Sequence, residues 1–535
     1  MYQSKAKPLS ESIKLMQNAL KRCNIEYKFS SFYNPLKHSF WVNLSSLYSP
    51  TRLFSNGKGA SKEAATASAL GEFIERLQTK NFFNDIYLKD KKHSLDQKSF
   101  KFNDNYLNPK LKEFYNPSGE LTKESLLDFN SNNFDKIIAL PFKKLATNET
   151  IYFPVNILHN LYASNGLATG NTPKEAQVQA ICEIIERYTK FTIIKQGYSL
   201  PTIPNSIIKE FKNITSDIKE LQNLGYKIDI LDASLGGKFP VVAISLIDKK
   251  NSTIFYSFGS HPKLEVAIER TLTELLQGRT SKEFKNLEIP TFDLDYVKSS
   301  FNLESHFIDS NGKVAMQMLS SKKSFKYTPF NYSGNSINDE HKYLVNLIYN
   351  LDKEIYIRDY NYLNFYSCQV LIPGLSEVYP VDDLVYNNSN QGKFIRDLVL
   401  NFKTKNPNDL LEKIEFLDEN INLGEYIGVI FENSFNIREL KAQLLLLLGE
   451  IDDAMELLEY SDKKLHILLV ELYKMNNQNL NFNDYKEPLI ELFGEELLNK
   501  AIEILEGRSY LVDITFAQEY LDILEIYDIP LNSGY

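Results

Sequence analysis

Cysteine is scarce in this chain: there are three, Cys23, Cys182 and Cys368, far apart and without a C-x-x-C pair. That excludes a disulfide framework and a zinc knuckle and fits a reducing cytoplasm. Histidine is equally thin. The seven residues are singletons with no HxxxH or HxxE spacing, so no zinc or iron site is indicated, and His261 beside Pro262 is expected to cap a helix. Long apolar runs are also missing. The longest leucine run, Leu444 to Leu448, is far too short to span a bilayer, and the first twenty residues contain no signal-peptide core. Nor is there an excess of basic charge. A formal charge of −9 over 535 residues argues against direct nucleic-acid binding, because that affinity comes from lysine and arginine displacing counterions.

A Walker A loop is absent too. The glycine-lysine pairs at Gly57, Gly237, Gly312 and Gly392 are followed by glycine, phenylalanine, valine and phenylalanine, never by serine or threonine. NGKGAS, residues 56–61, still has the makings of a phosphate loop: its glycines permit close backbone approach, Lys58 supplies charge, and a helix N-terminus follows. The same letters describe an ordinary loop with a capping serine.

What is present is an ordinary globular composition, 43% hydrophobic, enough for sizeable cores. Ile13, Leu15, Met16 and Leu20 predict an N-terminal helix leading into a strand. Ser61 is placed to cap a second helix. TPKE, residues 172–175, opens a third, with Thr172 as cap, Pro173 in the first turn and Glu175 three residues after the cap. A fourth is expected over residues 261–279. IDILDAS, FPVVAISLI and TIFYSFG, between Ile228 and Gly259, have the β-branched and aromatic content of strands.

Strands and helices mix to about residue 400, and leucine-rich helical periods dominate after Asn406. The expectation is therefore an α+β domain over residues 1–400 and an all-α domain over 401–535. Within the latter, LLLGEIDDAMELLEY sets Gly449 five before Ala454, like the turn and second helix of a tetratricopeptide repeat; a plain helical bundle fits as well. Either makes the tail a docking or dimerising module.

The chemistry concentrates in a repeated motif. GEFIER, residues 71–76, recurs as CEIIER, residues 182–187. Ser68, Glu72 and Glu75 fall on one helical stripe, Glu175, Gln179, Glu183 and Glu186 on another, and Arg270, Glu274 and Gln277 on a third. An E-x-x-E-R on one helix ordinarily marks a solvated face, and Arg76 and Arg187 could simply pair with Glu72 and Glu183 one turn earlier. Here, however, Gly71, Phe73, Ile74, Ala180, Ile184 and Ile185 fill the gaps where lysines would stand. Buried carboxylates about 6 Å apart repel by a few kcal/mol at an effective dielectric near 20, so three such stripes meeting require cations. Arginines meet part of that need. Oxygen-rich glutamate clusters also suit magnesium, which completes its shell with phosphates, and a nucleotide triphosphate is its natural companion, with Arg187 and Arg270 on the phosphates. Cys182, inside the motif but without a partner histidine, is expected to be a small core residue rather than a nucleophile.

SALGEFIER (68–76), EAQVQAICEIIER (175–187) and RTLTE (270–274) resemble, in order and spacing, the three ATP-binding signatures of the YcaO family. NGKGASKEAATASALGEFIERL, NGLATGNTPKEA, PGLSEVYPVDDL and the helical tail extend the resemblance over essentially the whole chain. It implies an α+β ATP-binding fold that uses ATP and Mg2+. Family members are thought to phosphorylate a peptide carbonyl oxygen so that a nucleophile can attack the carbon, giving azolines, thioamides or amidines. The branch resembled here is associated with β-methylthiolation of an aspartate in a small-subunit ribosomal protein, beside a radical methylthiotransferase. By this resemblance Glu72, Glu75, Glu183, Glu186 and Glu274, with Glu175, are the magnesium carboxylates. Lys5, Ser12, Ser68, Asn171, Gln179, Arg187 and Arg270 address phosphates or ribose, and Glu75, Glu186 and Arg270 are catalytic.

The chain departs from the azole-forming members in two ways. It ends IPLNSGY, without their proline-rich terminus, and nothing before residue 60 has the pattern of a leader-peptide clamp. Both favour the accessory role. The alternatives are stand-alone amide-backbone activation on a dedicated peptide, and a non-catalytic scaffold acting through the tail. A cytoplasmic homodimer is the expected assembly.

Overall fold

The computed structural model describes residues 5–50, 52–280, 284, 287–308 and 311–529. Of the terminal IPLNSGY, everything after Ile529 lies outside the described residues. The fold is α+β. An N-terminal helix, α1 (Leu9–Arg22), precedes β1 (Tyr27–Phe29), β2 (Tyr33–Leu36), β3 (Ser39–Ser46) and β4 (Phe54–Gly59). These strands form one antiparallel sheet in which β3 pairs with the other three. Next come α2 (Lys62–Gln78), then β5 (Lys98–Phe100), β6 (Ile137–Lys144), β7 (Thr150–Pro154) and β8 (Leu167–Gly170). The long helix α3 (Pro173–Gln196) leads to the antiparallel meander β9 (Lys227–Asp232), β10 (Val241–Asp248) and β11 (Thr253–Ser260), and α4 (Leu264–Leu276) follows. Helices α5 (Ser300–Ile308) and α6 (Ile337–Tyr349) precede β12 (Tyr356–Tyr360) and β13 (Tyr366–Leu371). These last strands complete a six-stranded sheet in the order β5-β6-β12-β13-β8, with β7 beside β6.

The local signals behave as their chemistry dictates. Ser61 Oγ accepts the Ala64 N–H at 3.1 Å, capping α2, and Thr172 Oγ1 accepts the Glu175 N–H at 3.3 Å, capping α3. The meander strands match the three β-branched runs. Two expectations are corrected. Residues 56–59 of NGKGAS form no phosphate loop but lie in β4. Their glycines serve packing: a Cβ on Gly57 would overlap Ala65 O and Ala69 N, so α2 lies directly on the strand. His261 does not cap α4, which begins at Leu264 with Lys263 at the cap position. The ring is instead buried two residues upstream, with Nδ1 accepting the Lys263 N–H at 3.0 Å and Nε2 3.6 Å from Glu340.

The helical tail includes α7 (Gln391–Leu400), α8 (Pro407–Ile414), α9 (Ile437–Leu448), α10 (Ile451–Glu459) and α11 (Gln518–Tyr527). Helices α9 and α10 form a hairpin turned by Gly449 at φ +80°, with Ala454 fully buried. One continuous core joins Leu20 and Phe73 at the front of the chain to Leu440, Tyr520 and Tyr527 at its back. The tail therefore shares its interior with α1 and α2. Tyr520 is a fixed point of that union: it is fully buried and its hydroxyl donates to Tyr87 O at 2.6 Å. Tyr520→Ala is expected to cost about 3–5 kcal/mol. In urea, monitored by circular dichroism, the whole transition should move as one. Early loss of the tail's helices alone, with the rest unmoved, would contradict a common core.

Candidate functional site

The acidic residues are delivered by helices that rest on sheet surfaces. Apolar positions of α2 (Ala65, Ala69, Phe73, Ile74) and of α3 (Ala180, Ile181, Ile184, Ile185) are buried, which leaves Glu72, Glu75, Glu183 and Glu186 half-buried on the adjoining stripes. On α4, Ala267, Ile268, Leu272 and Leu275 are buried and Arg270 and Glu274 share the open side.

Lys58 of β4 is the centre of this arrangement. Its ammonium pairs with Glu274 and lies in the field of Glu72, Glu183 and Glu186, so three helices place carboxylates around one cation. Burial lowers its pKa, and those carboxylates oppose the shift. Around it, Arg187 holds Glu183 at 3.0 Å, and Arg76 approaches Glu72 at 3.5 Å and Glu75 at 3.6 Å. Glu186 Oε2 accepts the Ser260 N–H at 3.1 Å. Burial pushes Glu186 up and Glu75 up to about 8, against the opposing positive charge of Lys58 at Glu186 and of Arg76 at Glu75. Because each carboxylate is drawn to its own partner, no three acidic or histidine side chains among the described residues already stand as a metal cage.

The remaining candidates form a second neighbourhood at the start of α3. The Glu175 carboxylate accepts the Asn171 N–H and the Asn171 side-chain amide, each at 2.9 Å, and the Ala6 N–H. Ser12 Oγ donates to Asn171 Oδ1 at 2.8 Å. Lys5 lies in the fields of Glu175 and Arg270. Glu175 is thus separated from Glu186 by about 16 Å of helix and does not join the carboxylates around Lys58. Arg270 links the two neighbourhoods. Its Nη1 donates to Ser260 O at 3.1 Å and its Nη2 to Gln179 Oε1 at 2.6 Å, and it acts on the charges of both Lys5 and Glu186. Ser68 lies half-buried one turn before Glu72 on α2.

Several contributors went unread in the sequence. Lys190, one turn after Glu186, is a half-buried cation whose pKa falls to about 8 as its surroundings exclude water; its place on the α3 stripe was the available signal. Phe307 of α5 stacks 4.7 Å from the Arg187 guanidinium, and Ser260 binds both Glu186 and Arg270 through its backbone. These contacts are long-range and left no local trace. Cys182 is fully buried with its thiol pushed up to about 11, which makes it a core residue and no nucleophile.

The donor set suits a magnesium nucleotide. Five glutamates offer hard oxygens, whereas Arg187 Nη1 is buried without a hydrogen-bond partner among the described residues, as a group awaiting an external acceptor would be.

Comparison with known proteins agrees. A family model described as YcaO cyclodehydratase, ATP- and Mg2+-binding, matches residues 56–376, and the YcaO cyclodehydratase C-terminal domain matches residues 393–533. An uncharacterized protein of Haemophilus influenzae is 35% identical, with 96% of this chain and 94% of that protein covered. The ribosomal protein S12 methylthiotransferase accessory factor YcaO of Escherichia coli is 37% identical over 85% of this chain and 81% of its own. Among solved structures, a heterocyclase in complex with substrate and cofactor superposes with a TM-score of 0.50 at 18% identity, covering 71% of this chain and 55% of that one. The chain spans about half the length of that heterocyclase, and the likeness is one of fold. No helix among the described residues is long and apolar enough to cross a membrane. With three helices delivering the acidic stripes to one cation and both family models matched in order, the chain belongs to the YcaO family.

Proposed function

We propose that this protein is a magnesium-dependent, ATP-hydrolysing accessory factor for methylthiolation of a small-subunit ribosomal protein, working in the cytoplasm beside a radical methylthiotransferase. Residues 1–400 would be the ATP-binding part and residues 401–535 the helical part that engages partners. The observation that carries the reading is the position of the Lys58 ammonium, paired with Glu274 and within the electrostatic reach of Glu72, Glu183 and Glu186, where a divalent cation would be equally well accommodated. Kinship with the Escherichia coli accessory factor supports the choice of pathway.

In this reading Glu72, Glu75, Glu183, Glu186 and Glu274 hold magnesium, and Arg187 and Arg270 hold phosphate oxygens. Lys5, Ser12, Asn171 and Gln179, of which Gln179 accepts from Arg270 and Ser12 donates to Asn171, would contact the rest of the nucleotide together with Ser68, one turn before Glu72. Glu175 is a positioning residue: through Asn171 and Ala6 it fixes the N-terminal segment that carries Lys5 and Ser12. Bound Mg-ATP supplies an activated phosphoryl group whose charge the two arginines offset.

Calorimetry tests the nucleotide reading. ATP with magnesium should give a saturable heat that EDTA or Arg270→Ala removes, and no heat at millimolar nucleotide would reject it. Mass spectrometry of ribosomal proteins from cells with and without the gene tests the pathway. Loss of the methylthio mark without the gene is expected. Dehydrated or thioamidated peptides, lost with the gene while the mark persists, would instead favour direct amide activation.

A further inference from the structure

A groove of about 340 Å3 opens in the helical tail, away from the acidic stripes, where α8, α9 and α10 meet. Its floor is apolar: Leu411 from α8, Leu445 from α9 and Leu457 from α10. Its other lining is acidic. Glu412 follows Leu411 on α8, Glu415 caps the C-terminal end of that helix, both exposed, and Glu419 lies four residues further on. The two cations that α9 brings to this face are already committed. Lys441 donates to Glu415 O at 2.9 Å and Leu417 O at 3.2 Å, and Arg438 binds Glu419 at 3.1 Å and Tyr460 O at 2.8 Å. Among the described residues Glu412 and Glu415 enter no ion pair, and Phe416 beside them is 91% exposed.

An aliphatic trough edged by uncompensated carboxylates has a complement of definite chemistry. We propose that this groove docks an amphipathic helix of a protein partner, rich in lysine and arginine, with its aliphatic residues against Leu411, Leu445 and Leu457 and its cations on Glu412 and Glu415. The volume falls within the range of preformed ligand sites and holds a few aliphatic side chains. A second copy of this chain is a poorer occupant, since each copy carries a net charge of −9. The inference goes beyond the nucleotide reading and stands without it.

The test uses the full-length protein and a fluorescein-labelled helical peptide with leucines at i, i+3, i+4 and i+7 and lysines elsewhere. Anisotropy should show saturable binding. The Glu412→Lys, Glu415→Lys double variant should weaken it about tenfold or more, and a glutamate-for-lysine version of the peptide should not bind. ATP binding and circular dichroism of the double variant should match the unaltered protein, which separates a lost contact from a lost fold. Leu457→Asp gives an independent check on the floor. Equal binding by the double variant, equal binding of the acidic peptide, or self-association of the chain abolished by Leu457→Asp would each overturn the proposal.

Discussion

Glu186→Gln is expected to lower ATP hydrolysis about a thousand-fold while leaving the fold intact, as removal of one well-placed electrostatic group in a dry site does. The substitution is nearly isosteric. A glutamine oxygen can still accept the Ser260 N–H that Glu186 binds at 3.1 Å, so the β11 connection survives. What disappears is the charge, and that charge is shared by Lys58, Arg187 and Arg270. Burial raises the Glu186 carboxyl before any neighbour is counted, so its removal should stabilise the nucleotide-free protein slightly. A steady-state phosphate-release assay with saturating magnesium, paired with a thermal melt, measures both effects. Turnover close to that of the unaltered protein, with the melt unchanged, would remove Glu186 from the site.

Stability without nucleotide is expected to fall as pH rises from about 4.5 to about 8, and Glu75→Gln should abolish much of that fall. Burial outweighs Arg76 and sets the Glu75 carboxyl at about 8 in the folded protein against an ordinary 4.5. Between those values the unfolded chain has released the proton while the folded chain retains it. The folded state binds more protons there, so the stability this group contributes is complete below the lower value and is lost as pH climbs through the upper one. At roughly 1.4 kcal/mol per pH unit the loss by pH 8 is on the order of 3–5 kcal/mol. Urea unfolding at pH 5 and pH 8 reads it directly. Magnesium with ATP should restore the stability at pH 8 in the unaltered protein, and its binding heat at pH 7 should vary with the ionisation enthalpy of the buffer as the proton leaves. A pH-independent unfolding midpoint would show that Glu75 is not held in a dry site.

Much of the architecture was legible one segment at a time. Ser61 and Thr172 announce α2 and α3 because a side chain that accepts a backbone N–H two or three residues later acts within one turn. The stripes Glu72–Glu75 and Glu183–Glu186 are visible because helical periodicity is local, and the strands between Ile228 and Gly259 because β-branched content is local. Where distant segments meet, the letters were ambiguous. NGKGAS has the glycines of a phosphate loop, yet β4 uses them to let α2 approach. His261 stands where a capping residue is expected, but burial against Glu340 claims it. The composition changes near residue 400, yet the hydrophobic core passes across that position.

The amino-acid order alone therefore determined which helices carry carboxylates, on which faces, and to which family they are kin, since each depends on neighbours within a few residues. Only the tertiary structure decided that Glu175 stays with Asn171 and the N-terminal segment while Glu186 turns to Lys58 and Ser260. It alone decided that Arg270 spans the gap between them. The reason is physical: Coulomb energy depends on distance through space and on exclusion of water, and neither exists until the sheets have paired and the helices have closed over them.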